Sequence, residues 1–327
     1  MAASNIEVWQ HATVVECTDV ADGIRRIVLA PTKPVKADAG THLDLMVTID
    51  GRPERRSYSI VDAAPDGSWV ALSVFRTPTS RGGSIAMHAL QPGTVLEVTQ
   101  PLQNFPLRHG APRYVLLAGG VGITAIAAMA RGLARVKADF TLVYAGRSRT
   151  AMAYLGALQE ELGDRIRVHV DDEGSSLSVA DLVASLGHDT ELYMCGPIRL
   201  MDAVRRAWGD RGLPPAQLRY ETFGASGWFD PQEFTVRIPR LGVETIVPKG
   251  RSMLEALEEA GVDMMFDCRK GECGLCEVRV LSLEGDVDHR DVFYSDRQKE
   301  ARAKMCCCVS RAVSQTNAPA VVSIEVS

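Results

Sequence analysis

The chain has no strong charge of either sign. Its 36 Lys and Arg stand against 41 Asp and Glu, a net charge of −5. That balance excludes a nucleic-acid-binding face as the main function. It has no apolar run long enough to span a bilayer: the best, "YVLLAGGVGITAIAAMA" at 114–130, holds three glycines in its first half, where a buried strand, a turn and a buried helix are expected instead. The N-terminal "MAASNIEVWQ" lacks a basic stretch followed by an apolar one, so no secretory signal is expected and the chain is read as cytoplasmic. Internal repeats and low-complexity tracts are also missing. Cysteine is sparse, eight residues in 327, yet three fall within nine positions at 268, 273 and 276. In a reducing compartment such clustering points to metal ligation rather than disulfides.

What is there divides into three rhythms. Up to about residue 110, short alternating runs ("ATVVECT", "IRRIVLA", "LDLMVTID", "RSYSIV", "WVALSVF", "VLEVTQ") are separated by Asp-Gly and Pro-Gly turns. Strands at this spacing predict an antiparallel barrel or sandwich. Within it, "GGSIAMHAL" reads as a short helix. From 111 to 224 the pattern becomes strand–helix alternation: "RYVLLAG" then "ITAIAAMARGLARV", "FTLVYAG" then "AMAYLGALQEELG", and onward to "ELYMCG", "IRLMDAVRRAWGD" and "LRYETF". That predicts a parallel sheet with helices on both faces and ligands beyond the strand carboxyl ends. Residues 225–327 form a third unit, joined by a Gly- and Pro-containing linker at about 223–232. It carries 13 Lys and Arg against 17 Asp and Glu, most of the net charge. A helix "SMLEALEEAG" with Ser252 as N-cap precedes the cysteine loop.

Cys268, Cys273 and Cys276 have the C-x4-C-x2-C spacing of plant-type [2Fe–2S] clusters, which take one further, distant cysteine. Gly271 and Gly274 let such a loop curl and turn backbone N–H groups toward sulfur. A zinc site would want a second short Cys or His pair, and none is present. The fourth ligand is Cys306, Cys307 or Cys308, and spacing alone does not choose. Cys17 reads as a core residue.

Two further motifs carry chemistry. "RRSYSI" places Arg56, Tyr58 and Ser59 on one strand, with Arg56 and Tyr58 on one face. There the Arg can hold a phosphate, Tyr58 can line a flavin ring and Ser59 can bond the ring edge. Downstream, Gly82, Gly83 and Ser84 open a helix whose free N–H groups suit a phosphate. In the alternating segment, Gly119, Gly120 and Gly122 of "LLAGGVGIT", with Thr124, sit at the first strand–helix turn, where a pyrophosphate is expected. The pattern is G-G-x-G, not the G-x-G-x-x-G of dehydrogenases. Arg147 and Ser148 end the second strand near the expected adenosine ribose. Arg147 would suit a 2′-phosphate, whereas the acidic loop of Asp171, Asp172 and Glu173 opposes one. Cys195, Gly196 and Pro197 end the fourth strand. Glu221 and Phe223 lie where they could pack near the flavin.

Taken in order, R-x-Y-S with a Gly-rich helix start, G-G-x-G with C-G-P, and the cysteine loop resemble the phthalate dioxygenase reductase-like family of the ferredoxin-reductase superfamily, which includes vanillate demethylase reductases. The resemblance spans the whole chain. It implies a flavin-binding β-barrel, an NAD-binding α/β domain and a plant-type ferredoxin domain of β-grasp type. It implies FMN rather than FAD, and NADH rather than NADPH. Cys195 would face the nicotinamide and Ser59 the flavin, the two residues closest to hydride transfer. Cys308, directly before "VSRA" (309–312), would be the fourth ligand, with the two extra residues in "VLSLEGDVDHRD" accounting for a slightly long spacing. The family has a proline where this chain has Ala125, a change a helix's first turn tolerates. "PLQNFPL" resembles the loop closing the family's barrel. The implied function is electron transfer from NADH through FMN and the [2Fe–2S] cluster to a terminal Rieske-type oxygenase acting on an aromatic acid or similar small molecule, by a monomer without nucleic-acid or membrane partners. A reductase for a cytochrome P450 or diiron hydroxylase, and a redox-sensing flavoprotein, are the alternatives.

Overall fold

The computed structural model describes residues 7–78, 80–224, 226–316 and 318–326. Ala225, inside the expected linker, and the first six residues lie outside them. The described residues form two compact units. The first runs to Gly196 and takes in Ala207–Glu221; the second is Pro197–Arg206 with the chain from Thr222 on.

The first unit begins with seven antiparallel strands: β1 (Trp9–Ala21), β2 (Ile24–Pro31), β3 (Thr41–Ile49), β4 (Arg52–Ala63), β5 (Val70–Phe75), β6 (Val95–Thr99) and β7 (Leu102–Gln103). Their order is β4-β5-β2-β1-β6-β3-β7, and β3 also pairs with β4, so six strands close into a barrel and β7 caps β3. Closure removes the open edges that would invite association. The β3–β4 hairpin turns on Asp50 and Gly51, both at positive φ (50° and 77°), with Ile49 opposite Arg52. Two consecutive positive φ values match the right-handed strand twist, which explains the Asp-Gly pair. Ile27, Leu29, Leu45, Leu72 and Val98 fill the interior. Cys17 packs beside this core but stays half-buried, its thiol directed at the Leu90 carbonyl. The short helix is α1 (Gly83–Ala89).

A five-stranded parallel sheet follows: β8 (Arg113–Gly119), β9 (Phe140–Gly146), β10 (Ile166–Val170), β11 (Thr190–Cys195) and β12 (Leu218–Glu221), in the order β10-β9-β8-β11-β12. In β8 every residue after Arg113 is buried, as expected of a strand covered on both faces. Helices α2 (Ile123–Arg135), α3 (Leu155–Leu162) and α4 (Val179–Ala184) connect the strands. The strand order reverses between β8 and β11, so the loops after these two strands flank the switch point where ligands of such sheets bind. Barrel and sheet share one apolar cluster in which Val61 and Ala71 meet Ile126 and Met129. The Tyr154 hydroxyl on the sheet side bonds Ser73 Oγ of the barrel.

Helix α5 (Ile198–Asp210) has its first nine residues in the second unit. That unit holds β13 (Phe234–Ile238), β14 (Val243–Val247), α6 (Met253–Glu259), β15 (Glu277–Glu284), β16 (Asp286–Asp288), α7 (Asp296–Ala301), β17 (Lys304–Cys306), β18 (Arg311–Val313) and β19 (Ala320–Glu325). The mixed sheet β14-β13-β19-β15-β17 has one parallel pair, β13–β19, and β16–β18 form a separate small ladder. Helix α6 buries Met253, Leu254, Ala256 and Leu257 in one core with Phe234, Val236 and Ile324, the β-grasp arrangement. Ser252 and Glu255 form a reciprocal capping box at its start, typically worth about 1 kcal/mol. The cysteine loop fills the connection from α6 to β15. Among the described residues no helix is long and apolar enough to cross a membrane.

Candidate functional sites

Residues expected to hold a flavin phosphate come together. Arg56 on β4 lies directly against the start of α1: a Cβ added to Gly83 would stand 2.7 Å from Arg56 Nε. Gly82 has φ +85°, and a Cβ there would be 2.4 Å from Ile49 Cγ2. Gly82 is thus favoured by its backbone conformation, and any side chain at Gly83 would displace Arg56. The α1 cap has no side-chain hydrogen bond, which leaves its first-turn N–H groups for a ligand. The Arg56 guanidinium donates to Glu54 Oε2 (2.6 Å) and to the Arg81 carbonyl (3.1 Å), so its position is fixed before any phosphate arrives. Ser84 turns away: its hydroxyl donates to Ser80 Oγ at 2.8 Å and accepts from the Thr77 N–H. Tyr58 shares the Arg56 face and packs beside the barrel core. Burial pushes its phenol up to about 12, against the pull of Arg56, so it stays neutral. These groups fit a phosphate cradle with an aromatic wall.

Ser59, 7% exposed, donates from Oγ to Glu221 Oε2 at 2.9 Å, and Glu221 is 4% exposed. The contact joins residues 162 apart in sequence. It ties the R-x-Y-S strand to the end of β12. Glu221 thus lies beside the R-x-Y-S strand, whereas Phe223 is 38% exposed in the second unit.

The two nucleotide motifs also meet. β8 and β11 are parallel neighbours, with Ala118 opposite Cys195. A Cβ on Gly122 would lie 2.1 Å from the Cys195 carbonyl oxygen and 2.5 Å from its carbon. The third glycine is therefore set by the strand end that carries the cysteine. Gly120 has φ +53° and open space around its missing side chain, so there conformation alone favours glycine. Thr124 is buried, its hydroxyl donating to the Val121 carbonyl at 3.0 Å, which tightens the turn into α2. Cys195 is buried. Gly196 ends the first stretch of the first unit, and Pro197 begins the short segment that belongs to the second.

At the end of β9 the Arg147 carbonyl accepts from the Asp172 N–H (3.0 Å) and Ser148 Oγ reaches Thr150 Oγ1 (3.2 Å). The acidic loop therefore sits beside Arg147. Arg149, not singled out from sequence, pairs side-on with Glu173 at 2.6 and 2.9 Å.

The cysteine loop is wound about sulfur. Backbone N–H groups of Lys270, Glu272 and Cys273 all point at Cys268 Sγ, at 3.4, 3.4 and 3.5 Å. Such N–H groups stabilise thiolate charge. Gly271 (φ +75°) and Gly274 (φ +76°) make the bends: a Cβ on the first would meet Val309 and Asp291, on the second the Phe293 ring at 2.3 Å. The Thr222 N–H and hydroxyl both donate to Glu272 Oε1, at 2.8 and 3.0 Å, bracing the loop. Behind it, Cys306, Cys307 and Cys308 are buried. Their thiols all reach Cys276, whose own thiol is pushed far below the usual range by hydrogen bonds from Cys306, Cys307 and Cys308. The three others are pushed up by the same bonds and by burial.

Their surroundings differ. All three share the hydrogen bonding with Cys276, but the nearby charges differ: the Asp291 carboxylate acts on Cys306, Glu258 on Cys307 and Cys268 on Cys308. Burial would raise the Asp291 carboxyl, but hydrogen bonds from His289 and the Tyr294 N–H, with Lys299 nearby, hold it below the usual range. Ser310 Oγ also donates to it, at 3.0 Å. A buried carboxylate beside Cys306 opposes a thiolate there. The donor set of four cysteines, with the inward N–H groups on Cys268, fits a two-iron cluster, and among the described residues no group of ligands converges for a single metal ion. Sequence reasoning missed Asp291 and His289, which lie in an irregular stretch without a motif. The "VSRA" string has structural duties of its own. Ser310 bonds Asp291, and Arg311 donates to the carbonyls of Arg251, Gln232 and Pro248.

Residues 236–313 match the family model for a 2Fe-2S iron-sulfur cluster binding domain. The chain is 36% identical to tetrachlorobenzoquinone reductase of Sphingobium chlorophenolicum, over 91% of this chain and 94% of that one. It is 35% identical to vanillate O-demethylase oxidoreductase of Pseudomonas sp. strain HR199, over 85% and 88%. The solved structure of phthalate dioxygenase reductase, described as transferring electrons from pyridine nucleotides to [2Fe-2S], superposes with a TM-score of 0.73 at 30% identity, over 97% and 98%. An intact type IV self-sufficient cytochrome P450 monooxygenase matches 98% of this chain at 33% identity and TM-score 0.66, and this chain spans 41% of its length.

Proposed function

The chain belongs to the phthalate dioxygenase reductase-like family, and on that premise we propose that it is the NADH-dependent reductase of an oxygenase system, delivering electrons to a terminal Rieske-type oxygenase that acts on an aromatic acid or similar small molecule. The observation that carries this reading is the cysteine loop, with three backbone N–H groups directed at Cys268 and the thiols of Cys306, Cys307 and Cys308 gathered on Cys276. Flavin and nucleotide sites occur in many reductases, but this loop adds a one-electron exit. Bound FMN and a [2Fe–2S] cluster supply the conversion of a two-electron hydride into single electrons.

The chain's own residues do the rest. Arg56 and the N–H groups after Gly82 and Gly83 hold the FMN phosphate, with Tyr58 against the ring. Ser59, oriented by Glu221, presents its hydroxyl to the ring edge. The Gly119–Gly122 turn takes the pyrophosphate, and Cys195 at the switch point positions the nicotinamide. Arg147 and Ser148 border the adenosine ribose, where the neighbouring carboxylates disfavour a 2′-phosphate. Cys268, Cys273, Cys276 and Cys308 ligate the cluster. In this reading a flavin domain extends to residue 110, a nucleotide domain covers 111–224, and a ferredoxin domain covers 225–327. The protein works as a cytoplasmic monomer with no membrane partner.

Two assays test it. The purified holoenzyme should release FMN on heating, and its kcat/KM should favour NADH over NADPH. Reconstitution with purified Rieske oxygenases should then support NADH-dependent product formation. FAD alone in the heat extract, or a preference for NADPH, counts against the cofactor assignment. The P450 match supports a second reading in which the acceptor is a haem monooxygenase, so the same reconstitution includes a P450 arm.

A further inference from the structure

Two buried thiols beside the cluster loop have no part in the ligand set. Cys306 and Cys307 are fully buried, immediately before Cys308. Both hydrogen-bond Cys276, as Cys308 does. With Cys276 and Cys308 committed to iron, these two keep their S–H groups, each a weak donor.

Main-chain bonds hold them in place. The Cys307 N–H donates to the Cys276 carbonyl at 3.1 Å, and the Cys307 carbonyl accepts from the Leu254 N–H of α6 at 2.9 Å. Cys306 ends β17 and lies opposite Glu277, the residue after Cys276, in the antiparallel pair with β15. Its carbonyl accepts from the N–H groups of Val309 and Ser310, at 3.3 and 2.9 Å. Cys276, Cys306 and Cys307 share one apolar core with Leu254, Leu257 and Met305. Away from water a hydrogen bond to sulfur keeps its full electrostatic effect, and a free thiol in apolar surroundings keeps its proton. Cys268 is served differently, by three backbone N–H groups. Only the donors on Cys276 are side chains, so only they can be removed by substitution.

We propose that Cys306 and Cys307 tune the cluster: as S–H donors to the ligating sulfur of Cys276 they raise its reduction potential and favour transfer of electrons from the flavin onto it. This role rests on the cluster reading above, with Cys276 a ligand and Cys306 and Cys307 not. The step affected is a one-electron reduction in which no bond to either thiol forms or breaks. The added electron makes the cluster and its thiolates more negative. A donor to a ligating sulfur therefore stabilises the reduced form more than the oxidised one.

Equilibration of the holoenzyme with redox dyes, with dithionite as reductant and the cluster read by EPR, tests the idea without NADH, flavin turnover or an acceptor. At a fixed dye potential, Cys306→Ala and Cys307→Ala should each lower the reduced-to-oxidised ratio about threefold. Together they should lower it about tenfold, which corresponds to about 59 mV for a one-electron couple. Cys306→Val and Cys307→Val refill the volume without a donor and should match the Ala variants, which separates the hydrogen bond from a cavity. The Ser variants keep a donor and should stay within about twofold of wild type. The number of spins per chain should be unchanged throughout. Ratios in the Ala variants equal to wild type would overturn the tuning role. So would Ser variants that fall with the Ala variants, because packing and not the donor would then matter. Loss of the cluster signal in the Ala and Val variants alike would make the residue a ligand or a structural support and overturn it too. A wild-type protein without a [2Fe–2S] signal would overturn the cluster reading itself, and the tuning role with it.

Discussion

Gly122→Ala tests whether the G-G-x-G turn and the cysteine strand end act as one piece. The added Cβ would stand 2.1 Å from the Cys195 carbonyl oxygen, 2.5 Å from its carbon and 2.9 Å from the Gly196 nitrogen. All three atoms are backbone, so no side chain can swing aside. Gly122 itself is in ordinary helical conformation (φ −58°), which removes backbone strain from the comparison. Relief requires β11 or the start of α2 to shift by roughly 1 Å, an overpacking cost of about 1–3 kcal/mol. In a unit of this size that lowers Tm by roughly 2–12 °C. The same shift moves Cys195 relative to the nucleotide, and misplacement on this scale can cost about a hundredfold in rate. Stopped-flow reduction of the flavin by NADH reads that loss directly. Gly120→Ala is the partner experiment. It has φ +53° and nothing within 4 Å of the added Cβ, so it should cost only about 1–2 kcal/mol of left-handed strain and change hydride transfer far less. If Gly122→Ala reduces its flavin as fast as wild type, the contact is packing alone and the functional coupling of the two motifs is wrong.

Cys308→Ser should abolish or strongly alter the cluster EPR signal after reduction by NADH, while Cys306→Ser and Cys307→Ser leave it nearly unchanged. The flavin of the Cys308 variant should still be reduced by NADH, because that step lies upstream. A normal cluster in Cys308→Ser with loss in Cys306→Ser would reverse the ligand assignment, and intact clusters in all three would mean that neighbouring thiols substitute for one another. Arg56→Ala should weaken flavin retention by about 1.5–3 kcal/mol, the worth of a charge-assisted hydrogen bond, or roughly 10- to 150-fold in Kd by fluorescence titration. Unchanged retention would place the phosphate elsewhere.

By itself the sequence determined the order of the three folding patterns and the residue types at each motif, because both are local. Alternation with a period of two, the strand–helix rhythm, the Asp50-Gly51 turn and the Ser252 cap depend on neighbours a few positions away. The C-x4-C-x2-C spacing is likewise local, since one tight loop must wrap one cluster. Tertiary structure decided whatever depends on residues far apart. Strand spacing suggested a barrel or a sandwich, and only the β3–β4 pairing closed the sheet. No pattern linked Ser59 to Glu221, 162 residues on, or Gly122 to Cys195, because those contacts arise from the pairing of distant strands. Three consecutive cysteines are equivalent on paper. They became different once β17 ended at Cys306 and the chain turned, so that the Asp291 carboxylate acts on Cys306 and Cys268 on Cys308. A buried charge changes the cost of a thiolate beside it, and its position exists only in the folded chain.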